Sequence, residues 1–178
     1  MRDHRRRAYR SNVTAPRPLL FLDVDGPLIP FGGTAREYSE WHRGPEIPEG
    51  ANPLLVRVDP AHGPRLAALP CELVWATTWT TDANELICPR LGLPEFQVVL
   101  WPEFDSDDDH RLHWKTRDLV DWAAGRPFVW VDDEITEADR SWVAAHHPAP
   151  ALLHRVDPRK GLAETDFVTV AAWLAHLS

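Results

Sequence analysis

Apolar residues in this chain gather in short continuous runs separated by polar stretches. Five such runs are Leu19-Leu20-Phe21-Leu22, Leu73-Val74-Trp75-Ala76, Val98-Val99-Leu100-Trp101, Phe128-Val129-Trp130-Val131 and Ala151-Leu152-Leu153. A run of this length without alternation suits a strand buried on both faces, as in a parallel sheet. Helical patterns fall between them, near 61–69, 82–91, 114–124, 135–146 and 164–177. Asp82 with Glu85 predicts a capping box. Gly92 and Pro94 predict a helix stop. Strands alternating with helices imply right-handed crossovers and a sheet covered on both sides. The expected fold is a three-layer α/β sandwich around a central parallel sheet of about five strands. The Pro- and Gly-rich stretch 30–58 breaks the rhythm and reads as a loop or small hairpin over the end of the first strand, with Leu54-Leu55-Val56 as a candidate extra strand.

Length changes this picture little. The 178 residues support one domain with a buried core. Charge adds an asymmetry. Six arginines against Asp3 give residues 1–17 a balance of +5, which leaves −13 on the rest of a chain whose net charge is −8. Residues 1–17 therefore read as a flexible basic arm and 18–178 as the domain, with 30–58 as an irregular cap or flap. The acidic body argues against nucleic-acid binding over a broad surface, so nucleic acid is a permitted partner but not the favoured one. Nine tryptophans are present, and Trp75, Trp101, Trp130 and Trp173 read as core. Cys71 and Cys88 have neither metal-ligand spacing nor a disulfide pattern, which fits a reducing cytoplasm. No apolar run is long enough to span a membrane. The acidic stretch 103–109 lacks the glycine and terminal glutamate of a calcium loop and reads as solvated. His42, His62, His110 and His113 read as surface or substrate-edge residues.

The polar residues that end the apolar runs carry the candidate chemistry. Asp23 and Asp25 follow the first run, Thr77 the second, and Asp132 and Asp133 the fourth. In a parallel sheet these ends share one edge, and ligands bind in the crevice beyond it. Carboxylates converging there suit Mg²⁺, which takes oxygen ligands and neutralises a phosphoryl group. One carboxylate can then attack phosphorus as a nucleophile. Gly26 permits a turn that swings Asp25 over a leaving group, where it can serve as general acid and then as base. Thr77 can donate its hydroxyl to a phosphate oxygen, and Thr78 beside it is the alternative. Lys115 can neutralise the acids and the phosphate, with Arg111 or Arg117 as alternatives.

Leu20-Phe21-Leu22-Asp23-Val24-Asp25-Gly26 resembles the first motif of the haloacid dehalogenase-like (HAD) superfamily. Leu73-Val74-Trp75-Ala76-Thr77 resembles its second motif, Lys115 its third, and Val129-Trp130-Val131-Asp132-Asp133 its fourth. Pro27 departs from the pattern by removing a backbone N–H next to the motif glycine. The resemblance implies a Rossmann-like fold, a required Mg²⁺, an aspartyl-phosphate intermediate and phosphatase activity. The expected catalytic residues are Asp23 as nucleophile, Asp25 as general acid/base, Thr77 and Lys115. The expected phosphate-binding set is Asp23, Val24, Asp25, Thr77, Thr78 and Lys115. The expected metal site draws on Asp23, Asp25, Asp132 and Asp133. The expected partner is a phosphorylated substrate, small or macromolecular; little chain remains for a cap, and an open site would suit an extended or macromolecular one, or a site completed by a partner. The alternative is an inactive relative that binds nucleic acid or an acidic partner through its basic arm.

Overall fold

The computed structural model describes residues 16–42, 44–102 and 111–177. The expectations for most of the basic arm, for the acidic stretch 103–109 and for His110 lie outside the described residues.

Five strands form one parallel sheet: β1 (Leu19–Leu22), β2 (Glu72–Trp75), β3 (Gln97–Val98), β4 (Phe128–Asp132) and β5 (Ala151–Arg155). Their order is β3-β2-β1-β4-β5. β1 therefore sits at the centre, and Leu22 pairs with Trp75 on one side and Val131 on the other. Alternate β1 side chains build two cores, as strand geometry requires. Leu20 and Leu22 join Leu66, Ile87, Phe167 and Val170. Leu19 and Phe21 join Leu119, Ala123, Trp130 and Val143. The first core packs α1 (His62–Ala67), α2 (Asp82–Leu86), α3 (Cys88–Leu91) and α6 (Glu164–Ala175), and the second packs α4 (Thr116–Ala123) and α5 (Glu137–His146). This is the expected α/β sandwich, with helices on both faces of a five-stranded parallel sheet. Among the described residues no helix is long and apolar enough to cross a membrane.

Local departures from the sequence reading have local causes. The helix expected over 82–91 is two short helices meeting at Ile87, with Pro89 in the first turn of the second. Asp82 is the first helical residue, after Thr81 as N-cap without a side-chain cap bond, so the expected capping box does not form. Gly92 does end the pair, in the left-handed conformation at φ +66°. The third strand pairs only over Gln97–Val98, and Leu100 is 71% exposed. Leu54-Leu55-Val56 is not a strand. Asn52 caps a 3-10 helix, Pro53–Arg57, by accepting from the Leu54 N–H at 2.9 Å. A second short 3-10 helix, Ala35–Glu37, is the other regular element among the described residues of 30–58.

Candidate active site

The carboxyl edge of the central strands assembles the site. Asp23 follows β1, and its N–H donates to Val131 O at 3.1 Å, which seats it beside the end of β4. Asp132 ends β4 and Asp133 follows it. Lys115, the residue just before α4, reaches between them. Its Nζ donates to Asp23 Oδ2 and to Asp132 Oδ2, each at 2.8 Å. All three side chains are buried, Lys115 to 3% and Asp132 to 0% exposure.

Asp132 is fully engaged. Its Oδ2 also accepts from Trp130 Nε1 at 3.2 Å, and its Oδ1 accepts from the Glu134 N–H at 2.9 Å. Asp23 Oδ1 accepts from the Val24 N–H at 2.7 Å. One oxygen each of Asp23, Asp132 and Asp133 lies within 4.8 Å of the others. Three carboxylates against one ammonium leave an excess of negative charge, and the titration shifts report it. Burial drives the Asp23 carboxyl upward, with Asp132 adding repulsion against the opposing pull of Lys115. Burial and then Asp132 push Asp133 up to about 6. Burial alone would lower Lys115, but Asp23 and Asp132 overcome it and raise the ammonium. An all-oxygen, buried and over-negative cluster is the donor chemistry that suits a divalent hard cation.

Asp25 is half-buried, and its carboxylate stands outside that cluster. It accepts instead from Trp79 Nε1 at 2.9 Å. The turn that aims it is tight. The Leu28 and Ile29 N–H groups both donate to Val24 O, at 3.0 and 2.9 Å, and Gly26 has φ +85°. A Cβ at position 26 would lie 2.7 Å from Asp133 Cγ, so glycine is needed there both for its conformation and for the approach of Asp133.

Thr77 is fully buried at the same edge, and Thr78 beside it is exposed. The Ala76 N–H donates to Leu22 O at 2.9 Å and continues the β1–β2 pairing up to the site. Thr77 Oγ1 accepts from the Trp79 N–H at 3.3 Å, which leaves its hydroxyl proton free to donate. Thr77 O accepts from Trp101 Nε1 at 2.9 Å.

Several residues at this edge escape sequence reasoning. Trp79, Trp101 and Trp130 count as apolar positions, yet each points its one donor at a motif residue. His113, expected at the surface or at a substrate edge, lies at this edge with its side chain only 6% exposed. Its Nδ1 accepts from the Lys115 N–H at 3.1 Å, so Nε2 carries the proton toward Glu134 Oε2 at 3.2 Å. Asp139 holds the same segment by accepting from the His113 N–H at 2.7 Å and from Thr116 Oγ1 at 2.6 Å. Arg155, at the end of β5, donates from Nε to Asp133 O at 2.8 Å. For all but Asp139 the advance signal was position, next to a motif or near the end of an apolar run, and Asp139 had none.

Neither the curated proteins nor the solved structures include a significant match to this chain. A family model does match, over residues 19–167, and its description is the HAD domain in Swiss Army Knife RNA repair proteins. That span runs from the first residue of β1 into α6 and takes in every motif residue above, and the chain belongs to this HAD-domain family.

Proposed function

We propose that this protein is a Mg²⁺-dependent phosphohydrolase that removes a terminal phosphate through an aspartyl-phosphate on Asp23. The observation that carries this reading is the Lys115 bridge, 2.8 Å to Asp23 and 2.8 Å to Asp132, with Asp133 completing the carboxylate cluster. The family's description, RNA repair, supports phosphorylated RNA ends as the substrate.

In this reading Asp23 and Asp133 hold the metal. Asp132 accepts one hydrogen bond more than Asp23, two of them on Oδ2 from Lys115 and Trp130 and one on Oδ1 from the Glu134 N–H, so its part is to anchor the lysine. Bound Mg²⁺ supplies charge neutralisation for the phosphoryl oxygens. Lys115 fixes Asp23 Oδ2, and the Val24 N–H fixes Oδ1, so the nucleophile is held before substrate arrives.

An Asp23 oxygen attacks phosphorus, and the bond to the leaving oxygen breaks as that oxygen takes a proton from Asp25. Trp79 Nε1 is a donor only, so Asp25 Oδ2 stays an acceptor and the transferable proton sits on Oδ1. Asp25 then removes a proton from water, which attacks the acyl phosphate, releases inorganic phosphate and restores Asp23. Thr77 donates its hydroxyl to a phosphate oxygen throughout. Residues 30–58 act as a minimal cap on a single domain, and they leave the site open to a chain end.

The test is hydrolysis of an aryl phosphate and of phosphorylated oligonucleotides with Mg²⁺, by the wild type and by Asp23→Asn. Activity that vanishes in the variant is expected. Robust turnover by Asp23→Asn would refute the nucleophile.

A further inference from the structure

Residues 155–162 connect β5 to α6 along the edge that carries the site. The loop is tied to the site at both ends. Arg155 Nε donates to Asp133 O at 2.8 Å, and the Val156 N–H donates to Asp132 O at 3.0 Å. At the far end the Leu162 N–H donates to Pro27 O at 2.8 Å, directly after the Asp23–Gly26 motif. Midway, the Phe31 N–H donates to Pro158 O at 2.8 Å and secures the start of the 30–58 segment.

This loop walls one side of a cavity of about 330 Å³, and Tyr38, Trp41 and Arg57 line the other. Its charge is asymmetric. The acids are partly engaged by their own segments: Glu37 Oε2 accepts from the Thr34 N–H and Oγ1 while Oε1 faces Arg159, and Asp59 accepts from the Ala61 N–H at 2.8 Å. Arg57 is committed too, since it donates to Pro30 O at 2.7 Å and lies 4.1 Å over the Tyr38 ring. Arg159 and Lys160 are different. Their side chains are 60% and 76% exposed, and their acidic contacts are long, 3.4 Å to Glu37 and 3.8 Å to Asp157. Trp41 is 38% exposed and lines the same cavity. The cavity therefore offers two available cations and an accessible aromatic ring, within one loop of the phosphoryl site.

We infer that this cavity is a subsite for the nucleotide that bears the scissile phosphate, with its base on Trp41 and its neighbouring phosphodiester on Arg159 and Lys160. The inference rests on the phosphohydrolase reading above and extends it to a terminally phosphorylated single strand. A base is sequence-tolerant flat surface for stacking, and a strand supplies a second phosphate at a fixed distance from the first. A phosphopeptide supplies neither as an obligatory feature. The volume suits one nucleoside and not a duplex.

The test uses the full chain carrying Asp23→Asn, in Mg²⁺, and the anisotropy of labelled trinucleotides phosphorylated at the 3′ or the 5′ end. Arg159→Ala with Lys160→Ala is expected to weaken binding about tenfold and to lower the salt slope by about 1.4, two contacts to a single strand. Trp41→Ala is expected to weaken it about five- to tenfold. Dependence on these residues at either end supports the subsite, and the stronger end gives its polarity. On the Asp23 background the same variants should hydrolyse a small aryl phosphate at the wild-type rate. Wild-type affinity in the variants overturns the subsite, as does equal competition by a phosphoserine peptide of matched charge. A wild type inert toward every phosphate would instead sink the phosphohydrolase reading, and the binding arm would still decide the subsite.

Discussion

Trp79 and Asp25 lie 54 positions apart, and the indole Nε1–H of the first donates to the carboxylate Oδ2 of the second at 2.9 Å. The bond crosses from the loop after β2 to the turn after β1, so it fixes the direction of Asp25 relative to the Thr77 loop. Trp79→Phe keeps the ring and removes the donor. The expected loss in kcat/KM is about tenfold, or ~1.4 kcal/mol, at the low end for a hydrogen bond to a charged group. The loss should be larger for an alkyl phosphate than for a nitrophenyl phosphate, because the poorer leaving group depends more on protonation by Asp25. Equal losses on both substrates would show that Trp79 only packs.

Gly26 couples the same turn to Asp133. At φ +85° an alanine costs about 1–2 kcal/mol in backbone conformation. Its methyl would also meet the Asp133 carboxylate at 2.7 Å and displace it. Gly26→Ala is expected to lose stability by about 1–3 kcal/mol and to weaken Mg²⁺ binding as well. Denaturant melts with and without Mg²⁺ measure both effects. An unchanged Mg²⁺ response would mean that Asp133 is not a ligand.

The sequence made the centre of the sheet legible and its margins much less so. The runs at 19–22 and 128–131 are continuous because β1 and β4 are covered on both faces, so their pattern and their fate coincide. The run at 98–101 has the same composition, but it lies at the sheet edge, where pairing ends at Val98 and Leu100 meets solvent. At 54–56 the apolar pattern was misleading because Asn52 and Pro53 set a helical start that outweighs three branched residues. The motif residues were legible because strand ends on one edge converge by topology alone. Their supports were not. An indole N–H carries no hydropathy signature, and no periodicity reports that Asp139 reaches back 26 positions to His113.

Lys115 should be the most sensitive residue of the site for stability. Lys115→Met leaves Asp23 and Asp132 buried without a cation, and breaking such a pair costs about 3–5 kcal/mol. Mg²⁺ should then raise the melting temperature of the variant more than that of the wild type, because the ion replaces the countercharge that the lysine gave. Asp133→Asn should do the opposite. It removes one charge from the cluster, so the metal-free protein should be at least as stable as the wild type. Its Mg²⁺ affinity should fall by about tenfold or more, since even outer-sphere partners of a metal ligand are worth 10–100-fold. Parallel Mg²⁺ titrations of the three proteins by thermal melting test both halves, and a Lys115→Met protein as stable as the wild type would remove the bridge from the argument.

Asp139 is the buried support on which the Lys115 segment rests, and its protonation should be visible in acid. Oδ1 accepts from the His113 N–H at 2.7 Å and from Thr116 Oγ1 at 2.6 Å, and Oδ2 accepts from Thr136 N–H at 2.8 Å and Thr136 Oγ1 at 2.6 Å. Burial by itself would raise this carboxyl. The hydrogen bonds from Thr116, Thr136 and the His113 N–H outweigh it and hold the group below its ordinary value of 3.8. A group depressed in the folded state stabilises it fully above the unfolded value and stops doing so as pH falls through the folded one. Asn cannot replace it, because in either orientation of the amide its NH₂ faces a backbone donor, His113 N–H or Thr136 N–H. Asp139→Asn should therefore cost about 1–3 kcal/mol at neutral pH. The gap between variant and wild type should close as pH drops below about 4. Urea denaturation of both proteins across that range checks the sign, and a gap that stays constant into acid would show that Asp139 acts by shape and not as a carboxylate.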